Sequence, residues 1–357
     1  CPHQNPKKSY YKNFIVIPCY DEYDYIFQTL DSINNQKNEK LNDLLVIIVI
    51  NNSRNSSKKI VQNNQLTYDH LIDKSYFFEF IILNNFDKNN ALDDKIAGVG
   101  IARKIGFDYC LNFIKNENAL FYSLDADTII SSKYLTKINN EFKDNVNVLV
   151  VNFKHQKSDN DVLEKGIRRY ETIIKDIASK INQTGSPYGY VSMGSTIICN
   201  VKAYISCGGM SKKKATEDFY FLQSLAKYTH IKQIKDILVH PSSRDKQKVY
   251  LGTGYRMNEY KNNGHFKNLD YKSETYQSIQ IIIDSARKYW MESFDILYHH
   301  LKLKIDKKAL DFLVLKNIEL VWKKIQSNSK NKKQFMLFFH QWFDGLMIIQ
   351  LLKKLNN

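Results

Sequence analysis

"LFYSLDADTIISSKYL" (Leu120–Leu135) is the stretch on which the fold turns. An apolar run ends abruptly in two aspartates separated by one alanine, Asp125 and Asp127. In an extended segment residues i and i+2 project to the same side, so the two carboxylates face one way and repel. Held together, they need a cation or a proton. A hard divalent ion, Mn²⁺ or Mg²⁺, itself bound to a diphosphate, meets that need. A solvated turn with Asp127 capping the next helix meets it too, and the tripeptide alone reads more simply that way.

Working outward, similar apolar runs recur. "FIVIP" (Phe14–Pro18), "LLVIIVI" (Leu44–Ile50), "FFEFIIL" (Phe77–Leu83) and "ALFYSL" (Ala119–Leu124) read as buried strands, and helical patterns cover Ile26–Ile33 and Ile101–Ile114. Continuous apolar strands alternating with helices predict an α/β fold: a three-layer sandwich with a mainly parallel sheet and ligands at the carboxyl ends of its strands. "VNVLVVNF" (Val146–Phe153) and "STIICN" (Ser195–Asn200) add strands, separated by a long amphipathic helix over Val162–Ile181. After about residue 275 the apolar residues Leu310, Leu313, Val314, Ile318, Val321 and Ile325 fall at helical spacing. The expected division is an α/β domain over 1–275 and a helical C-terminal region over 276–357, with "NSKNKK" (Asn328–Lys333) as a loop.

Apolar content of 43 % with 13 % aromatics in 357 residues excludes wholesale disorder. The net charge of +15 favours an anionic partner such as a phosphorylated substrate, nucleic acid or an acidic membrane, although solvated surface lysines explain it equally well. The basic residues follow no RRM or zinc-finger pattern, so no nucleic-acid partner is expected. Five scattered cysteines form no CxxC pair, which argues against a zinc site or a disulfide framework and fits a reducing, cytoplasmic setting. Cys1 without an initiator Met suggests a trimmed chain. The most apolar stretch, "FMLFFHQWFDGLMIIQLL" (Phe335–Leu352), is broken by His340, Gln341, Asp344 and Gln350, so no membrane span is expected. "CPHQNPKKSYYKN" lacks the apolar core of a secretory signal.

A second acidic pair stands in "ATEDFYF" (Ala215–Phe221). Thr216 can cap a helix there, with Glu217 and Asp218 in a first turn whose dipole favours acids. Near a metal-bound diphosphate, one of these carboxylates can instead remove a proton from an attacking hydroxyl.

Five pieces now stand in order: "VIPCYDE" (Val16–Glu22), "VINNSRNSS" (Val49–Ser57), "GVGIARKIGFD" (Gly98–Asp108), "DADT", and "GSTIICN" with "GGM" and "ATEDFYF" (Gly194–Phe221). Each is weak alone, but their order and spacing over roughly residues 13–240 resemble the GT-A nucleotide-sugar glycosyltransferases, family 2 in particular. The resemblance implies a GT-A catalytic domain over 1–275: a nucleotide-sugar half at about 13–130, an acceptor half at about 131–240 and a flap at about 241–275. It implies that Pro18, Tyr20 and Glu22 lie near the base and ribose, with Asp21 where asparagine is usual. Asn51, Asn52 and Ser53 stand where the family usually has Asp-Asp-Gly-Ser; an asparagine carbonyl can still accept from the base N3–H, but the choice of base stays open. Arg103 is implied to contact the nucleotide or its phosphates, the ordinary alternative being a surface helix arginine.

Asp125 is implied on the ribose and metal side, Asp127 as the direct ligand of Mn²⁺ or Mg²⁺, and His240 in "ILVHPSSR" as a third ligand, with His265 as a rival. Asp218 is implied as the base of an inverting transfer, with Glu217 positioning it or the acceptor. Tyr188, Tyr190 and Met193 are candidates for an acceptor platform, for which core packing is an equal explanation. Arg244 and "YLGTGYR" (Tyr250–Arg256) suit a basic flap. The implied function is transfer of a sugar from a nucleotide-diphosphate donor, UDP-sugar favoured, to a hydroxyl of a glycan, lipid-linked or other acceptor in bacterial surface glycan or glycoconjugate synthesis. Trp322, Phe338, Phe339, Trp342 and Phe343 beside lysines admit peripheral contact with the inner face of a membrane, but packing within the protein explains them more simply. A nucleotidyltransferase is a rival, yet "VIPCYDEYDY" lacks its glycine-rich basic loop. A catalytically impaired sugar- or nucleotide-binding relative stays open because of Asn51 and Asn52.

Overall fold

The computed structural model describes residues 6–143, 145–213, 216–245 and 252–356. Two compact units emerge: Cys1–Ile167 with Ser192–Gly264, and Arg168–Val191 with His265–Asn357.

The first unit is built on eight strands: β1 (Asn13–Cys19), β2 (Leu44–Asn51), β3 (Glu79–Asn85), β4 (Leu120–Ser123), β5 (Ile129–Ile130), β6 (Val148–Phe153), β7 (Ile197–Asn200) and β8 (Ile231–His240). They form one sheet in the order β3-β2-β1-β4-β7-β6-β8-β5. The first four pair in parallel, as expected. The other half is mixed: β7 runs against both β4 and β6, β6 pairs in parallel with β8, and β5 runs against β8. Every residue of β1 and β2 is buried, which is why their sequences are apolar without alternation.

From β1 the chain steps outward through β2 to β3, then returns to place β4 on the opposite side of β1. A switch point of this kind opens a crevice at the carboxyl ends of the two central strands. The helix Val99–Cys110 closes the sheet beneath that crevice, and Gly106 sets its approach. A Cβ at Gly106 would run into Val16 Cγ1 and stand 3.1 Å from Val49 Cγ2. Phe107 stacks on Phe121 with centroids 5.1 Å apart.

The second unit is helical, with helices Ser273–Lys288, Phe294–Lys304, Lys307–Leu315, Ile318–Asn328, Lys332–Trp342 and Gly345–Asn356. It also takes in Arg168–Val191 and residues 265–275, both expected in the catalytic domain. Side-chain packing is the reason: Tyr170 packs on Phe266 with centroids 5.6 Å apart, and the Tyr188 hydroxyl donates to the His340 carbonyl at 2.6 Å. Trp322, Phe339 and Phe343 are buried in this unit's core, and Phe338 and Trp342 are half-buried. The aromatics considered for a membrane therefore mostly hold the helices together. Among the described residues no single helix is long and apolar enough to cross a membrane; the last two meet those limits only as a pair bent by 60°. Cys19, Cys110, Cys199 and Cys207 are free thiols, and Cys1 lies outside the described residues.

Candidate active site

At the switch point lies a cavity of about 510 Å³, within the range typical of small-molecule sites. Pro18 lines it from the end of β1, Tyr20 and Glu22 from the loop that follows, Asn51, Asn52 and Ser53 from the end of β2, and Asp125 and Asp127 from the turn after β4. Met193, Arg244 and Gly252–Tyr255 complete the wall from later in the chain, together with Ser56 and Asp94, which sequence reasoning missed. Tyr250 and Leu251 of the expected flap lie outside the described residues.

One buried side chain ties the first two loops together. Asn64, in the helix Lys58–Ile72, donates to the Asn51 carbonyl at 3.2 Å and to Asn52 Oδ1 at 2.9 Å. Its own Oδ1 accepts from the Asp21 N–H at 3.0 Å, holding Asp21 in the left-handed region at φ 55°. Aspartate tolerates that region better than most residues. The Asn52 amide donates to the Ser53 carbonyl at 2.9 Å and so serves the loop. Asn51 is 3 % exposed, lines the cavity and makes no side-chain hydrogen bond among the described residues. No signal pointed to Asn64, because its helix, "KKIVQNNQLTYDHLI", is too polar to show a core stripe.

The DADT segment is a turn, not an extended strand end, and its two acids part company. Thr29 Oγ1 donates to the Ala126 carbonyl at 2.8 Å, and the Thr128 N–H donates to the Asp125 carbonyl at 3.2 Å. Asp125 Oδ2 accepts from Ser195 Oγ at 2.6 Å, while Ser195 Oγ accepts from the Asp125 N–H at 3.1 Å. Asp125 Oδ1 accepts from the Arg103 guanidinium. Asp127 turns to Arg244, with Oδ2 2.6 Å from Nη2. Arg244 also grips both oxygens of Glu22, at 2.8 and 2.7 Å, and stacks 4.4 Å over the Tyr25 ring. The single clamp expected for both acids is thus two separate aspartate–arginine pairs.

Arg103, expected at the phosphates, is 2 % exposed. Its guanidinium donates to Ser123 Oγ and Asp125, and through Nε to Glu217 Oε1 at 3.3 Å. Its donors point into protein. Glu217 and Asp218 open the helix Glu217–Tyr228 as expected, but Thr216 stands in the left-handed region at φ 61° and its side chain makes no capping hydrogen bond. Burial raises the proton affinity of Glu217, the neighbouring Asp218 adds to it, and Arg103 opposes it. Burial also raises that of Asp218, against the Phe219 N–H at 2.7 Å and Arg103. The pair stands behind the wall, linked to the cavity through Arg103 and Asp125.

Pairing of β5 with β8 sets Ile129 against His240, beside the DADT turn. Gln156 Nε2 joins the two by donating to the Asp127 carbonyl at 2.9 Å and the His240 carbonyl at 2.8 Å. His240 Nδ1 lies 2.9 Å from the Lys154 carbonyl. A carbonyl only accepts, so Nδ1 carries the hydrogen and, in the neutral ring, Nε2 keeps a lone pair. Among the described residues no group of three or more His, Cys, Asp or Glu side chains is assembled as a metal cluster. Mg²⁺ and Mn²⁺ do not need one, because they take one or two carboxylates and complete their shell with phosphate oxygens and water. Asp127 at the cavity wall fits that requirement once Arg244 yields, whereas Asp125 is held by Arg103 and Ser195.

Of the acceptor candidates, Met193 lines the cavity. Tyr188 and Tyr190 belong to the second unit, 5 % and 9 % exposed, as does His265.

The glycosyl transferase family 2 model matches residues 14–205, more than half of the chain. Similar solved structures include S. aureus TarS 1–349 in complex with UDP-GlcNAc, 13 % identical, with 92 % of this chain and 91 % of that chain covered and a TM-score of 0.45. A mannosyltransferase from Pyrobaculum calidifontis in complex with GDP-Man and Mn²⁺ is 11 % identical, with 96 % and 90 % covered and a TM-score of 0.44. Glucosyl-3-phosphoglycerate synthase from Mycobacterium tuberculosis in complex with Mn²⁺, UDP and glucosyl-3-phosphoglycerate is 10 % identical, with 72 % and 82 % covered and a TM-score of 0.40. No curated protein matches. With strand-end motifs gathered at the switch point of an α/β sandwich and the family match spanning β1 to β7, the chain belongs to glycosyl transferase family 2 and is a glycosyltransferase.

Proposed function

We propose that the protein moves a sugar from a nucleoside diphosphate donor, UDP-sugar favoured, to an acceptor hydroxyl with inversion at the anomeric carbon. The observation that carries this reading is the cavity at the switch point, which gathers Pro18, Tyr20, Glu22, Asn51, Asn52, Asp125 and Asp127. Asn51 offers its amide to the base edge, accepting from an N3–H and donating to an adjacent carbonyl. Asp125, braced by Ser195 and Arg103, presents its carboxylate on the ribose side. Asp127 would hold Mn²⁺ or Mg²⁺, with His240, whose Nε2 keeps a lone pair, as the second ligand we assign. When bound, the ion offsets the charge that grows on the departing nucleoside diphosphate. The acceptor proton is assigned to Asp218, which does not line the donor cavity and would meet the acceptor on the far side of Arg103 and Asp125; burial has raised its proton affinity, which suits a base. The acceptor oxygen bonds the anomeric carbon from the face opposite the diphosphate, and the carbon–phosphate-oxygen bond breaks.

Thermal shift with UDP, GDP and dTDP, each with and without Mn²⁺, tests the reading. Stabilisation by one nucleotide that depends on the metal and is lost in Asp127→Ala is the expected result. Indifference to all three would sink it. For the setting, we place the enzyme on the cytoplasmic face of a membrane in surface glycoconjugate synthesis. Exposed Leu303, Leu315 and Leu320 stand among Lys302, Lys304, Lys316 and Lys323, a composition suited to anionic lipid. Co-sedimentation with phosphatidylglycerol vesicles, but not phosphatidylcholine vesicles, checks this.

A further inference from the structure

We infer that Arg103 is a positioning residue, a buried strut whose one guanidinium sets Asp125 on the donor side and Glu217 on the proton-accepting side. The inference rests on the proposed transfer reaction and goes beyond it by linking its two halves. Its first support is the direction of the donors. With the side chain 2 % exposed, the guanidinium reaches Ser123, Asp125 and Glu217. Arginine suits this work because its planar fork fixes several acceptors at once, which the single ammonium of a lysine cannot do.

The second support lies in two glycines that let the neighbouring segments close on this helix. A Cβ at Gly194 would overlap Arg103 Nη2, stand 3.0 Å from Cζ and 3.3 Å from Asp125 Oδ2. Position 194 is therefore the seat of the guanidinium. A Cβ at Gly100, one turn before Arg103, would overlap the Lys213 carbonyl, stand 2.8 Å from the Ser211 carbonyl and 3.0 Å from Glu217 Cβ. The segment that delivers Glu217 thus lies directly on the helix that carries Arg103. The segment that carries Ser195 and the one that carries Glu217 both need the absence of a side chain at these glycines to close on the arginine or its helix.

The test compares Arg103→Lys and Gly194→Ala with the wild type, measuring kcat and donor KM well below each melting temperature. The lysine keeps the charge and loses the fork; the alanine keeps the arginine and displaces it. Both are expected to lower kcat on the order of 100-fold, the effect of misplacing reacting groups by about 1 Å. Donor KM should rise by a smaller factor than kcat falls, since Arg103 reaches the donor only through Asp125. The double variant should lose less than the product of the two, because both act through one contact. A donor KM that rises tenfold or more with kcat retained would make Arg103 a donor ligand and overturn the inference. So would wild-type kinetics in both variants. Should Arg103→Lys fail to fold, Gly194→Ala decides alone, by the same split. Failure of the functional reading is a different result, because a wild type that turns over no nucleotide sugar shows it without any substitution.

Discussion

The Arg103–Asp125 and Arg244–Asp127 pairs begin two residues apart on one turn and end in different surroundings. Arg103 is almost wholly buried, shares Asp125 with Ser195 and also holds a second acid, Glu217. Arg244 and Asp127 are each 17 % exposed at the side chain and stand on the wall of the cavity. Buried ions are hard to separate, because each leaves an uncompensated charge when the other goes. Pairs that water can reach separate more readily, because solvent takes up part of the charge each ion leaves. The difference lies in the arginines, since both acids line the cavity and Asp125 is itself 33 % exposed: one acid is braced by a buried guanidinium and a hydroxyl, the other by an arginine on the cavity wall.

Four experiments break or sharpen this contrast. Arg103→Leu leaves Asp125 and Glu217 facing each other without a cation and should lower stability by about 3–5 kcal/mol, read as the shift of a urea transition. Gly106→Ala, on the same helix but away from the charges, tests packing alone. Its methyl group meets Val16 and Val49, and overpacking there should cost about 1–3 kcal/mol in the same measurement. Arg244→Gln frees Asp127 and Glu22 on the cavity wall, where water reaches them, and should cost less than Arg103→Leu in the same measurement. It should also tighten Mn²⁺ binding to the donor-free protein, measured by calorimetry, because it removes the cation already on Asp127. A loss as large as that of Arg103→Leu would erase the distinction between the pairs.

The smallest effect is a slope. In the unfolded chain the carboxyls of Glu217 and Asp218 titrate near 4, and in the fold burial raises both. The fold then holds protons more tightly than the unfolded chain. The stability this contributes is complete below about pH 4 and is lost as pH rises through the raised values. Melting temperature against pH should show that decline, and Glu217→Gln should flatten it. An unchanged slope would mean that Arg103 already neutralises the pair.

Strands β1 and β2 were legible almost residue for residue, because strands buried on both faces carry uninterrupted apolar runs. The two-residue β5 and the polar helix Lys58–Ile72 offered no such signal. Several candidate residues line the cavity for a related reason: Pro18, Tyr20, Asn51, Asp125 and Asp127 lie at or just beyond strand ends, and the switch point brings strand ends together. Ser195, Gly194 and Asn64 were not readable as site residues. Their roles are contacts across about 70, 91 and 43 positions of chain, made with Asp125, Arg103 and Asp21.

By itself the sequence determined the α/β order, the parallel half of the sheet and the placing of two acidic pairs at element ends, since each of these is local in the chain. Only the tertiary structure decided what those acids face. One arginine lies 22 residues before Asp125 and comes back to it; another follows Asp127 by more than a hundred residues and closes on it. Charge is written in the chain, but its cost depends on burial and partners, and both exist only once the sheet has brought distant segments together.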